Sequence, residues 1–323
     1  GGAVIGLFRF DETEFTEETA LMVTESNEIG YFEFDKVPAG NFLVREIASP
    51  EAFVLTEEIF PVEITEDGQT IEITIENQII KGTAETIKVD ADYPDHKLSE
   101  AVFEVYADVD NNGEFNADID KLAGEMTETE PGLYQMKDLV YGNYFLHEKE
   151  APEFFEKDDG YYPFSITENE AIVRIETEAG EGFLNKAQTG SLKVVKTADD
   201  DKVEGRTFKI SGTDFMGNAY EQEFKTDENG EINLTLRVGE YTVSEVAGED
   251  SEKYILPDDQ TVEIKAGETT TVKMHNKLVP EVPSVPQTGD LTWLWIALGI
   301  VAALSAGGLL LIFKRSGTHD EES

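Results

Sequence analysis

One short pattern occurs three times along the chain and governs what it can fold into. AGNFLVREIASPEAF (39–53), YGNYFLHEKEAPEFF (141–155) and VGEYTVSEVAGEDSEKY (238–254) each carry a glycine, an aromatic residue two positions on, and a glutamate six positions after the glycine. Self-similarity of this kind marks copies of one structural unit in series. Around each copy, short runs alternate apolar and polar residues and are broken by turn signals such as Asp110-Asn111-Asn112-Gly113 and Asp227-Glu228-Asn229-Gly230. That period of two belongs to half-buried strands, and no helical period of convincing length appears before residue 291. The expected fold class is all-β: tandem β-sandwich domains followed by one C-terminal transmembrane helix.

Each copy ends on a run that terminates in asparagine: IEITIENQ with Asn77, GFLNK with Asn185 and TVKMHNK with Asn276. The second and third copies also open alike, with Gly82 and Gly190 followed six residues later by Lys88 and Lys196. On a strand, residues two apart share a face. Tyr241, Val243 and Glu245 therefore point together, as do Val272, Met274 and Asn276, and Leu192, Val194 and Lys196. The same parity joins Phe42, Val44 and Glu46, then Ile73, Ile75 and Asn77, then Tyr144, Leu146 and Glu148. Lys88 has the weaker mates Ala84 and Thr86. For any one glutamate in a chain with 68 acidic residues, a solvated surface position is the alternative, and asparagine is common at strand ends. Recurrence at matching parity favours burial, and buried Lys, Glu and Asn are costly unless they meet one another.

With these residues, and above all the Tyr-x-Leu-x-Glu-x-x-Ala-Pro box at Tyr144 to Pro152, residues 1 to 277 resemble three Cna B-type, or SpaA-like, prealbumin-like domains of Gram-positive adhesins and pilins. The resemblance implies sandwiches over 1–80, 81–187 and 188–277. It also implies that a lysine on the first strand attacks the side-chain amide of an asparagine on the last, releasing ammonia, while a buried glutamate shuttles the protons. Carried over residue by residue, this pairs Lys88 with Asn185 through Glu148, and Lys196 with Asn276 through Glu245. The first copy has Glu46 and Asn77 but no matching lysine; its one earlier lysine is Lys36, in the turn FDKVPAG. The first strand and its lysine are expected upstream. The chain opens on Gly1-Gly2-Ala3-Val4-Ile5, without initiator methionine or signal peptide, and is expected to be part of a longer precursor. No catalytic turnover is implied: each domain would be its own single-turnover catalyst.

Leu291 to Phe313 are about 23 residues without a charge, long enough as a helix to cross a hydrocarbon core of about 30 Å. Trp293 and Trp295 lie near one end and Lys314-Arg315 close the other, so the tail 314–323 is expected in the cytoplasm. Just before the span stand Val285, Pro286, Gln287, Thr288 and Gly289, after a Pro-rich spacer that begins at residue 278. Pentapeptide, apolar span and basic stop in that order resemble the Leu-Pro-X-Thr-Gly sorting signal of Gram-positive surface proteins, with Val285 where leucine is usual. The resemblance implies a sortase that cuts after Thr288 and passes its acyl group to an amine of the peptidoglycan cross-bridge or of a pilus subunit. The protein would then be anchored to the cell wall, with the membrane contacted only before sorting.

Lysine plus arginine number 25, giving a formal net charge of -43, so nucleic acid is an excluded partner. The absence of cysteine excludes disulfides and thiolate sites. Asp108, Asp110 and Asn112 start like a calcium loop, but position twelve is Ile119 where a bidentate glutamate belongs. A polar Asn-Gly hairpin is the default there, calcium its alternative, and no other cofactor is expected. The leading function is a rigid, cross-linked, wall-anchored stalk for adhesion, whose upstream region binds a host or matrix ligand. A minor or basal pilin subunit is one alternative, and the stem of a surface enzyme with an upstream catalytic domain is another.

Overall fold

The computed structural model describes residues 1–178 and 180–280. The sorting pentapeptide, the apolar span and the basic tail lie outside the described residues. Among the described residues no helix is long and apolar enough to cross a membrane. Helix is confined there to the single turn Ser251–Lys253, and the rest is strand and loop.

The third repeat shows the complete unit. One sheet runs in the order Glu231–Arg237, Thr189–Ala198, Thr269–Leu278, Tyr254–Ile255, and the other in the order Ala219–Lys225, Thr207–Asp214, Gly239–Glu245, Gln260–Ile264. Alternation sends Leu192, Val194, Phe208, Ile210, Tyr241, Val243, Val272 and Met274 into one core between the sheets, each almost fully buried. Burial of side chains of this size contributes about 1.5–3 kcal/mol apiece. The first strand, Thr189–Ala198, lies antiparallel to Glu231–Arg237 but parallel to the last strand, Thr269–Leu278. Opening and closing strands thus share a direction, and the chain enters each unit at one end and leaves at the other.

The second repeat repeats the plan. Lys81–Asp90 is central in one sheet, antiparallel to Leu133–Val140 and parallel to both Ile172–Arg174 and the short last strand Phe183–Asn185. The other sheet has the order Tyr161–Ile166, Gly142–Glu150, Val102–Ala107, Lys121–Glu125. In both repeats the aromatic residue of the recurring box is a tyrosine whose hydroxyl donates to a carbonyl four residues earlier, Tyr144 to Val140 (2.8 Å) and Tyr241 to Arg237 (3.0 Å). Asp110 to Gly113 lies in a longer loop, 108–120, and does not form the tight hairpin expected from Asn-Gly.

In the first repeat one sheet is present, in the order Met22–Glu25, Val4–Arg9, Gly40–Ala48, Ile59–Ile64, together with the short pair Phe53–Val54 and Gln78–Ile79. IEITIEN, expected as a strand, keeps its alternating burial but pairs with nothing as strand. Its physical reason is the missing neighbour: in the other repeats this segment bonds to the lysine strand, which residues 1–80 do not contain.

The second and third repeats meet at a built joint. Leu98, Phe155 and Ala187 form a buried cluster with Ala151 and Phe215. Over it lies Arg237, which donates to the fully buried Asp90 of the second repeat and to Asp214 of its own repeat (2.9 Å), beside the rings of Tyr93, Phe155 and Phe215. The first joint is lighter, with the Tyr141 hydroxyl donating to Glu51 (2.7 Å).

Candidate functional site: three buried glutamate–asparagine centres

Strand register brings the predicted residues together. Lys196 lies opposite Met274 and Asn276 opposite Ala198, while Lys88 lies opposite Phe183 and Asn185 opposite Asp90. In each repeat the lysine therefore faces the residue two before the asparagine, so both side chains emerge on one face as diagonal neighbours. The box strand of the opposing sheet supplies the glutamate from across the core.

In the second repeat Lys88 Nζ lies 3.0 Å from Glu148 Oε1, both side chains being fully buried. Asn185 Nδ2 donates to both Glu148 oxygens (2.9 and 3.0 Å), and the backbone N–H of Asp158 donates to Oε2 (2.8 Å). In the third repeat Lys196 Nζ lies 2.9 Å from Glu245 Oε2, and Asn276 Nδ2 donates to Oε1 (2.8 Å). Each lysine contact is close enough for an ion pair but outside hydrogen-bonding angles, so the amine protons lack a directed acceptor. Oδ1 of Asn185 and of Asn276 is likewise buried without a partner. Polar groups held together yet imperfectly satisfied are costly in a purely structural cluster.

Burial is the largest influence on both lysines. It pushes the Lys88 amine down from 10.5 to about 8 against the opposing pull of Glu148, and pushes Lys196 down against Glu245. Phe183 and Phe103 complete the second-repeat site, with ring centres 4.4 and 5.8 Å from Nζ. Phe183 was not among the residues expected at the site, although its parity with Asn185 puts it on the same face. The weaker mates Ala84 and Thr86 are both fully buried.

The first repeat holds the same half-site. Asn77 Nδ2 donates to the buried Glu46 Oε1 (2.7 Å), and the Thr56 N–H donates to Oε2 (3.2 Å), as Asp158 does ten residues beyond Glu148. No lysine among the described residues is brought there.

Asp108 and Asp110 approach Asp120, with one carboxylate oxygen of each within 4.8 Å of the others, an oxygen-donor set of the kind hard cations take. The loop already uses them: Asp108 accepts from the N–H groups of Asn112 and Gly113, and Asp120 from those of Val109 and Asn116. Asn112 donates to Asp110 (3.0 Å) and accepts from the Glu114 N–H.

The chain matches the family model described as SpaA, prealbumin-like fold domain, three times, over residues 1–79, 82–181 and 190–278. Among solved structures it is similar to the Bacillus anthracis TIE protein, at 25% identity and a TM-score of 0.61, over 85% of this chain and 47% of that one. The chain thus spans about half the length of that relative. It also aligns with GBS52, the minor pilin of Streptococcus agalactiae (18% identity, TM-score 0.27, 65% and 100% covered), and with a streptococcal ancillary pilin (15%, 0.31, 87% and 93%). Curated protein sequences gave no match.

Proposed function

Because the chain belongs to the SpaA family of prealbumin-like fold domains, we propose that it is a covalently braced surface stalk, in which Lys88 bonds to Asn185 and Lys196 to Asn276. The observation that carries this reading is the pair of buried Lys–Glu–Asn centres, alike in register, in lysine–glutamate and asparagine–glutamate distances, and in an unpartnered lysine Nζ and asparagine Oδ1. A proton passes from lysine to glutamate, leaving two neutral groups, the form that burial favours. The free amine attacks Cγ of the asparagine while the protonated glutamate polarises the amide. The Cγ–Nδ2 bond breaks, the glutamate relays the second amine proton to the leaving nitrogen, and ammonia departs. One amide replaces another, and no external reactant is consumed.

Each bond would close a loop of roughly 80 to 100 residues, worth about 4 to 5 kcal/mol in the chain-entropy model. It does the work of a disulfide in a chain without cysteine. The test is intact mass: purified protein should weigh two ammonias less than its sequence, and an unmodified mass would overturn the reading.

Titration gives a second check, on the variant Asn185→Ala, which keeps the Lys88–Glu148 pair but has no amide to attack. The folded lysine releases its proton near 8 and the unfolded one near 10.5, so the unfolded state binds more protons between those values. Stability of the variant should rise with pH across about 8 to 10.5 relative to the parent, whose Lys88 no longer titrates. Denaturant midpoints that track in parallel across that range would count against the assignment.

The Val285–Gly289 pentapeptide supports anchoring to the Gram-positive wall by a sortase, with Thr288 as the mature end. Incubation with sortase and a glycine-based amine should transfer Thr288 to that amine, and Thr288→Ala should block the transfer.

A further inference from the structure

We propose that the third repeat carries a second reactive site on its outer face, a threonine–histidine–aspartate relay in which Thr197 takes an acyl group from carboxylic esters. The relay is independent of the lysine–asparagine bonds, from which the sheet itself separates it.

Thr197 Oγ1 lies 2.8 Å from His275 Nδ1, and His275 Nε2 lies 3.0 Å from Asp199 Oδ1. Parallel pairing sets Thr197 directly opposite His275, and both side chains point away from the core that receives Lys196 and Asn276. Asp199 is pinned at two points: its N–H donates to the Asn276 carbonyl (3.1 Å), and its Oδ2 accepts from the Leu278 N–H (2.9 Å). The Leu278 N–H, and after it His275, hold the Asp199 carboxyl below its ordinary value. A carboxylate can only accept, so His275 Nε2 carries the ring proton and Nδ1 is left as an acceptor for the Thr197 hydroxyl. Nucleophile, base and orienting group stand in hydrogen-bonding order, the arrangement by which an activated hydroxyl is recognised on any fold. All three are exposed, the His275 and Asp199 side chains by 44% each, so a substrate can reach them.

The second repeat closes the same strand pair without these groups. There Val89 lies opposite Leu184 where Thr197 meets His275, and Ala91 stands in the place of Asp199, its N–H donating to the Asn185 carbonyl (2.9 Å). The polar trio is an addition to the unit and not a condition of its folding. Beside it, Lys277 follows His275 on the same face and brings a positive charge near Asp199. Ile255, paired with Lys277, shares that face and is 54% exposed. A cation for the developing oxyanion and an apolar surface for the acyl chain therefore flank the relay, which fits a donor that is an ester of an apolar carboxylic acid.

As Thr197 Oγ1 attacks the acyl carbon, His275 Nδ1 takes the hydroxyl proton. The Oγ1–C bond forms, the C–O bond to the leaving alcohol breaks, and His275 returns the proton to that alcohol. One ester replaces another, and the chain keeps the acyl group on Thr197.

The full chain, in detergent, is incubated with p-nitrophenyl butyrate, and the labelled residues are mapped by fragmentation. One butyryl group is expected on Thr197, while Thr235, exposed on the same sheet, stays unlabelled. Thr197→Val should abolish the label and Thr197→Ser should retain it. His275→Ala should slow labelling about 100-fold or more. Asp199 is a positioning residue: Asp199→Asn should slow labelling about 10-fold or more, and Asp199→Glu should recover most of the rate. Ile255→Ser should slow transfer of butyrate more than that of acetate. Labelling confined to lysines, equal labelling of Thr197 and Thr235, or an unchanged rate in His275→Ala overturns the proposal. The same spectra count the ammonias lost, so failure of the relay and failure of the lysine–asparagine bonds are read separately.

Discussion

Glu148→Ala is expected to fall short of its own sequence mass by one ammonia where the parent falls short by two, with its second repeat destabilised by several kcal/mol. Two effects act together. Without the carboxylate nothing takes the proton from Lys88 or returns it to the leaving nitrogen, so the bond worth about 4 to 5 kcal/mol does not form. Lys88 is then left without a counter-ion in a fully buried site walled by Phe103 and Phe183. Removing one partner of a buried ion pair typically costs about 3 to 5 kcal/mol. The effects separate by comparison with Asn185→Ala, which loses the bond and keeps the pair. Glu148→Ala should therefore melt below Asn185→Ala, and both below the parent, in calorimetry of the three proteins. If the two variants melted together, the orphaned-charge argument would fail. A deficit of two ammonias in Glu148→Ala, as in the parent, would remove the glutamate from the chemistry.

Arg237→Ala is expected to loosen the joint between the second and third repeats while leaving both ammonia losses intact. Among the described residues the guanidinium is the one cation within reach of Asp90 and Asp214, whose carboxylates are almost wholly buried. Truncation strands both carboxylates and opens the cover over Phe155 and Phe215, again in the range of about 3 to 5 kcal/mol. Lysine should rescue poorly, because one ammonium cannot hold two carboxylates in the planar fork that Arg237 supplies while stacking on rings. Small-angle scattering should report a wider spread of interdomain arrangements for Arg237→Ala and, to a lesser degree, for Arg237→Lys. Unchanged scattering would assign the joint's rigidity to the apolar cluster alone.

Much of the candidate site is legible in the sequence because it follows from parity. A period of two fixes which side chains share a face, so Glu245 with Tyr241 and Val243, or Lys196 with Leu192 and Val194, can be read as buried from spacing alone. Recurrence then separates these glutamates from the many solvated ones. Parity says nothing about which strand lies alongside. Residues 71–77 alternate correctly, yet without a lysine strand beside them they pair with nothing. The Arg237–Asp90 contact is out of reach of spacing for a related reason: the residues are 147 apart and belong to different copies, and neither is matched in the other repeats. The loop acids Asp108, Asp110 and Asp120 all stand out in the sequence, but spacing does not show which of them meet, since the 108–120 loop folds back where Asn-Gly points to a tight hairpin.

The shared direction of opening and closing strands has a mechanical meaning. Tension along the chain enters the second repeat on the strand bearing Lys88 and leaves from the strand bearing Asn185. With the amide bridge in place it crosses directly from one to the other. It then runs through residues 186–195 and crosses again from Lys196 to Asn276. Unbraced, each repeat could release roughly 300 Å of slack when pulled open. Braced, the only backbone between the two bridges is a segment about 35 Å long at full stretch, most of it already extended as strand. Its contour length is therefore nearly constant under load, and a pulling experiment should show no sawtooth release from residues 88 to 276.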